Sequence, residues 1–258
     1  MPAVFPGSQF QPEYLLIFPG MIPVPQLLAQ AALLARLAAP SPYPFAVGET
    51  LRYEARLGYF SVGTASVSVA RMVKERGADA FEFTASGQGG PPGWRVAYDL
   101  TSRVAAAGFH SLRFHRRLMQ GGKTEEHGYV IVPDSARYRE EGVPGEWVAP
   151  AEPLDELAFL YFLRAAPLKV GKSYSLQRYF KTGYNPILVR VTGREPVPMA
   201  DGSSANCLAI EVTSRGQTMR AWFTDDQRRL PAQLELPLPF GSVTLSLVGQ
   251  QGGGAAGR

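Results

Sequence analysis

A chain of 258 residues in which 45% of side chains are hydrophobic and only 19% charged can bury a sizeable core, which excludes a disordered polymer. Its net charge of +4 is milder than the concentrated basicity of a nucleic-acid binder, so no nucleic-acid partner is expected. The single cysteine, Cys207, excludes an internal disulfide and a cysteine-based zinc cluster.

The first 44 residues stand apart, with Glu13 and Arg36 as their only charges. Residues 26–39 are apolar at most positions. Read from Met21, the stretch resembles a secretory signal without a basic start and with Arg36 interrupting it. The run is too short and too alanine-rich for a membrane span. Residues 1–44 are therefore expected to form a signal-like or anchoring segment, residues 45–248 a single β-rich domain, and residues 249–258 a flexible tail.

From residue 45 onward the punctuation is that of an antiparallel sheet. Residues 51–57 and 64–70 alternate on either side of a turn at 58–63, which predicts a hairpin. Residues 81–86 predict a strand. Residues 87–93, Gly-Gln-Gly-Gly-Pro-Pro-Gly, predict a loop that neither a helix nor a central strand would absorb. Strands over 94–100 and 109–119 follow, and Gln120-Gly121-Gly122 turns the chain into a strand over 123–132. The proline-punctuated stretch 133–153 holds one strand fragment near 136–139.

Residues 155–166 predict one short helix, capped by Asp155 and stopped before Pro167. It is apolar almost all round, so it is expected to be buried on the sheet or to plug its open end. Strands over 172–179, 187–192, 208–213, 219–223, 230–236 and 242–248 complete a mainly β fold: a curved antiparallel sheet, half-barrel or barrel. Leu230, Ala232, Leu234 and Leu236 alternate toward one buried face. Pro231, which has no amide donor, belongs at a strand start or an edge. Cys207 stands opposite the apolar face of Leu208, Ile210 and Val212, as a weakly packed thiol.

Motifs for chemistry are thin. Gly87, Gly89 and Gly93 suggest a dinucleotide loop, but Pro91-Pro92 excludes the helix start that would hold the pyrophosphate. Gly122-Lys123-Thr124 lacks the first glycine of a phosphate loop, position 117 being arginine. His110 and His115, five apart, diverge on a regular strand, and His127 lies in an extended setting, so no metal site is predicted. Asp155 with Glu156, and Asp225 with Asp226, diverge as neighbours and read as cap and turn residues, leaving no catalytic set and no cofactor. Arg113, His115 and Arg117 alternate opposite Phe114. Arg113 and Arg117 are placed to meet an anionic group, although a solvated polar face accounts for the pattern as well.

Phe45-Ala-Val-Gly-Glu-Thr-Leu-Arg-Tyr53 with Gly63-Thr-Ala65, Asp155 with the apolar residues after it, Gly171, and Trp222-Phe-Thr-Asp-Asp-Gln-Arg-Arg-Leu-Pro231 together resemble the exported bacterial family called domain of unknown function 3108, over about residues 45–248. The resemblance implies a protein of the periplasm or associated with the outer membrane, without an established activity. The hairpin of Trp222 to Pro231 is also similar, at the level of fold, to those of the lipoprotein carriers LolA and LolB, in which a curved sheet wraps an apolar cavity around a helix. That likeness implies a cavity lined by Phe159, Leu160, Phe162, Leu163 and Trp222.

The expected function is binding of an apolar or amphiphilic ligand, a lipid or lipid-linked molecule, by a non-enzymatic envelope protein with peripheral membrane association. Two alternatives stand beside it. One is a carboxylate-dependent hydrolase or lyase acting on envelope polysaccharide. The other is a scaffold whose basic face, with Arg113, Arg116 and Arg117, binds an envelope protein partner.

Overall fold

The structure, a computed structural model, describes residues 43–90, 95–238 and 241–252. The first wing comprises β1 (Thr50–Leu57), β2 (Phe60–Glu75), β3 (Ala78–Gly89), β4 (Val96–Ala105), β5 (Ser111–Gln120), β6 (Lys123–Val132), β7 (Arg137–Glu140) and β8 (Trp147–Val148). The one α-helix among the described residues, α1 (Glu156–Ala165), follows. The second wing comprises β9 (Ser173–Leu176), β10 (Ile187–Pro198), β11 (Ser204–Ser214), β12 (Gln217–Thr224), β13 (Pro231–Leu238) and β14 (Gly241–Gln251).

All fourteen strands belong to one antiparallel sheet, ordered β8-β7-β6-β5-β4-β3-β2-β1-β14-β13-β12-β11-β10-β9. The wings join where β1 pairs with β14, and the sheet stays open at β8 and β9. Register shifts at Arg52/Tyr53, Ala55/Arg56, Val69/Arg71 and Arg103/Val104 bend the first wing, as bulges do. The second wing has shifts of its own at Val191/Gly193 and Trp222/Phe223, and both wings turn apolar faces inward. Tyr53 of β1 reaches across and donates to the Pro231 carbonyl at 2.9 Å.

Helix α1 lies on the inner face, against β3 and β4. Asp155 is its N-cap and accepts from the Leu157 and Ala158 amides. Near its other end, buried Arg164 pairs with buried Glu49 and donates through Nη2 to the carbonyls of Pro44 and Arg228 at 3.0 and 3.1 Å. The helix is thus fastened at both ends. After β9 the chain crosses back to the first wing: Leu154 and Tyr179 form a parallel bridge, Phe180 packs with Phe114, Tyr129 and Ile131, and Lys181 donates to the Tyr129 hydroxyl at 2.8 Å. This crossing segment, not a strand ladder, spans the space between the two edges.

The mainly β reading with one buried helix stands, and several boundaries move. The first hairpin turns at Gly58 and Tyr59 rather than over 58–63, because β2 begins at Phe60. The stretch expected to be loop at 87–93 enters a central strand as far as Gly89. Glycine permits this: a Cβ on Gly87 would lie 2.5 Å from the Tyr98 ring, which covers the bare backbone. Strand β14 continues to Gln251, so the expected tail loses residues 249–251 to the sheet.

The alternation over 230–236 is broken by a bulge between Trp222/Phe223 of β12 and its partner strand. Leu234 and Leu236 face inward, whereas Ala232 joins an outer cluster with Val197 and Cys207. Cys207 is therefore fully buried rather than weakly packed, and burial pushes its thiol up to about 11. Pro231 opens β13, the position open to a residue with no amide donor. The signal-like reading of residues 1–44 falls, except for its last two residues, outside the described residues.

Candidate functional site

The inner face does not fill. A cavity of about 910 Å³ lies between the wings, above the helix. Tyr53, Ala65, Val67, Ala85, Tyr98 and Leu100 of β1 to β4 form one wall. Val212, Met219, Ala221, Leu234, Leu236 and Leu245 of β11 to β14 form the other. Leu157, Phe159, Leu160 and Leu163 of α1 form the floor. The residues explain the space: the first wing presents Ala65, Val67 and Ala85 where a packed core would place large side chains.

Polar groups gather on the exposed part of the lining. Tyr179 donates to Glu156 Oε1 at 2.6 Å, Ser214 donates to the Tyr184 carbonyl at 2.8 Å, and the Arg215 guanidinium lies 4.9 Å from the centre of the Tyr184 ring. Gln217 completes this rim. Burial holds the hydroxyls of Tyr53, Tyr98 and Tyr179 above the ordinary tyrosine range, and the neighbouring Glu156 adds to the effect at Tyr179. The tyrosines therefore stay neutral, and Glu156 and Arg215 supply the charge. Such an arrangement solvates a polar head at the rim and hydrocarbon within.

Among the predicted lining residues, Phe159, Leu160 and Leu163 stand on the floor. Phe162 does not: it turns toward Arg178, whose guanidinium lies 4.7 Å over its ring. Period 3.6 separates it from the inward stripe. Trp222 is likewise displaced. It lies on the outer face, donating from Nε1 to Glu195 Oε2 at 2.7 Å beside the cluster of Cys207 and Ala232, because its strand neighbours Ala221 and Phe223 take the inward positions.

Arg113 is occupied by protein carboxylates, with Nη1 2.6 Å from Glu141 and Nε 3.6 Å from Glu75. Arg117 is exposed, opposite Asp99 in the ladder. Neither residue is on the cavity wall. Sequence reasoning missed Tyr98, Met219, Leu236 and Arg215. The run of small residues at alternate positions of β2 and β3 was the available signal for space, and the inward parity of Met219 and Leu236 was readable once Ala221 and Leu234 were placed.

The carboxylates do not assemble on one open surface. Asp155 is buried under the helix start. Asp225 Oδ2 is held by Arg194 Nε at 2.6 Å, and Asp226 accepts from Thr224, Arg228 and the Arg229 amide. Among the described lining residues Glu156 is the one carboxylate, so the wall lacks the pair that glycoside hydrolysis uses. No group of three or more His, Cys, Asp or Glu is placed to hold a metal ion among the described residues.

A family model described as "Protein of unknown function (DUF3108)" matches residues 52–248, more than half of the chain. No curated protein matches. Among solved structures the chain is similar to a beta-barrel-like protein of domain of unknown function DUF1849 from Brucella abortus, at 12% sequence identity and a TM-score of 0.52, covering 80% of this chain and 98% of that chain. At that identity the likeness shows the fold alone.

Proposed function

This chain belongs to the DUF3108 family of proteins of unknown function, and from that premise we propose that it is a binding protein for an amphiphilic ligand, a lipid or lipid-linked molecule, in the bacterial cell envelope. The apolar cavity with its polar rim carries the reading. Hydrocarbon would enter between Ala85, Met219 and Leu236 and rest on Phe159 and Leu160, leaving the polar head at Glu156, Tyr184 and Arg215. A volume of about 910 Å³ falls within the range of roughly 300–1,000 Å³ that small-molecule sites occupy. The curved sheet over a helix supports the comparison with lipoprotein carriers as an analogy of architecture.

Displacement of a fluorescent fatty acid tests the proposal, with native mass spectrometry of gently purified protein to identify a copurified lipid. Leu236→Trp puts bulk into the cavity at a half-buried position and is expected to weaken probe binding at least about tenfold, as a loss of about 1.4 kcal/mol would. The urea midpoint should change little. Equal binding of the probe by both proteins, or none by the parent, would overturn the proposal.

A further inference from the structure

The strand order directs seven connections toward one end of the sheet: five between β1 and β2, β3 and β4, β5 and β6, β11 and β12, and β13 and β14, and two longer ones between β7 and β8 and between β9 and β10. The cavity reaches this end, since Arg215 and Gln217 of the fourth connection and Pro237 before the fifth belong to its lining. At the first connection Tyr59 and Phe60 project into solvent, 98% and 77% exposed. A hairpin tip in water has no internal reason to carry two adjacent exposed aromatics.

The described residues of the five connections named first, and the strand positions beside them, carry Arg95, Lys123 and Arg215, all exposed, and no carboxylate; the carboxylates on this side are Glu141 and Glu146 of the β7–β8 connection and Glu156 at the cavity rim. The Arg95 carbonyl accepts from the Gly121 amide, which draws the second and third connections together. At the opposite end the connections and the strand ends beside them hold both signs, among them Asp79, Asp134, Asp201, Asp225 and Asp226 with Lys74, Arg76, Arg228 and Arg229.

We infer that these five connections dock on an anionic bilayer surface, with Tyr59 and Phe60 entering the headgroup layer and Arg95, Lys123 and Arg215 meeting lipid phosphates. Aromatic side chains favour the membrane–water interface, and basic residues are drawn to anionic headgroups. The features sit on separate turns instead of forming one apolar patch, which suits a fluid surface better than a shaped protein pocket. Docking here would open the cavity toward the source of its ligand. Among the described residues no helix is long and apolar enough to cross a membrane, so this contact is peripheral. The inference goes beyond the cavity reading, because Tyr59, Phe60, Arg95 and Lys123 are not on the cavity wall.

Flotation of the full chain with vesicles of phosphatidylcholine, with and without phosphatidylglycerol, tests it. Binding is expected with phosphatidylglycerol only, and should weaken as salt rises. Each basic side chain near an anionic surface strengthens partition about fivefold, so Arg95→Glu with Lys123→Glu should weaken it at least about 25-fold. Tyr59→Ser with Phe60→Ser should weaken it as well. Lys74→Glu, at the opposite end, should leave it unchanged.

All variants should still bind the fluorescent fatty acid, so loss of docking is distinguishable from loss of the cavity. Binding indifferent to phosphatidylglycerol, equal binding by parent and end variants, or parent binding to an acidic protein but not to vesicles would overturn the inference.

Discussion

Asp155 offers the sharpest test of how the helix is held, because one buried carboxylate joins α1 to β4 and β5. Its Oδ2 accepts from Ser102 Oγ at 2.6 Å and Ser111 Oγ at 2.7 Å, while Oδ1 accepts from the Leu157 and Ala158 amides at 3.0 and 2.9 Å. Ser111 Oγ in turn accepts the Asp155 amide at 2.9 Å. Asp155→Ala removes a cap worth about 1 kcal/mol. It also strands two buried hydroxyls at about 1–3 kcal/mol each. The expected loss is therefore roughly 3–7 kcal/mol.

Asp155→Asn keeps the shape and the cap acceptor but cannot titrate. Burial outweighs the four hydrogen bonds and pushes the Asp155 carboxyl from its ordinary 3.8 up to about 6. A folded-state value above the unfolded one means that the native protein binds the extra proton between the two. The contribution of this group is fully present below about 4 and is lost as pH rises through about 6. A shift of about two units corresponds to about 3 kcal/mol. Urea unfolding between about pH 7.5 and about pH 4 should show the parent gaining that much stability relative to Asp155→Asn as pH falls. A flat difference, or one that grows as pH rises, would refute the account.

Arg164→Met should cost about 3–5 kcal/mol by leaving Glu49 charged and unpaired, and adding Glu49→Gln should recover much of it; a double-mutant cycle in urea measures the coupling. Gly87→Val should cost about 1–3 kcal/mol, since the Tyr98 ring must leave the glycine backbone on which it lies. Thermal unfolding reads that loss, and near-ultraviolet circular dichroism reports the displaced ring.

Alternation made the sheet legible: nearly every strand announced itself by period 2, and the Pro153, Asp155 and Pro167 punctuation placed α1 to within a residue at each end. Bulges were not legible. The extra residue Ala232 sends itself outward and leaves Leu234 and Leu236 inward, a switch that depends on the partner strand and has no marker in a single stretch of sequence. Glycines misled at 87–89 because their usual meaning is a turn, whereas here Tyr98 supplies the missing side-chain cover from the next strand. For the cavity, residue type pointed to Phe159, Leu160 and Leu163, but hydrophobicity alone did not tell inward Phe223 from outward Trp222.

The size of the cavity connects these details. A dry, enclosed void of about 910 Å³ would cost about 20 kcal/mol at about 24 cal/mol per Å³. That exceeds the about 5–15 kcal/mol by which a whole domain is stable. An evolved fold keeps such a space only if the walls cannot close and the space is filled by water or ligand. The floor of this one is α1, which lies against β3 and β4, and the helix is fixed by polar locks rather than by its apolar face alone. Asp155 ties its start to β4 and β5 of the first wing, and Arg164 ties its end to Glu49 before β1 and to the Arg228 carbonyl before β13. Hydrophobic contacts would tolerate a slide toward the small residues Ala65 and Ala85; directional bonds at both ends resist it. The buried ionisable groups thus have a reason to be there even though no chemistry is assigned to them: they hold the floor in place beneath a space that packing forces would otherwise close.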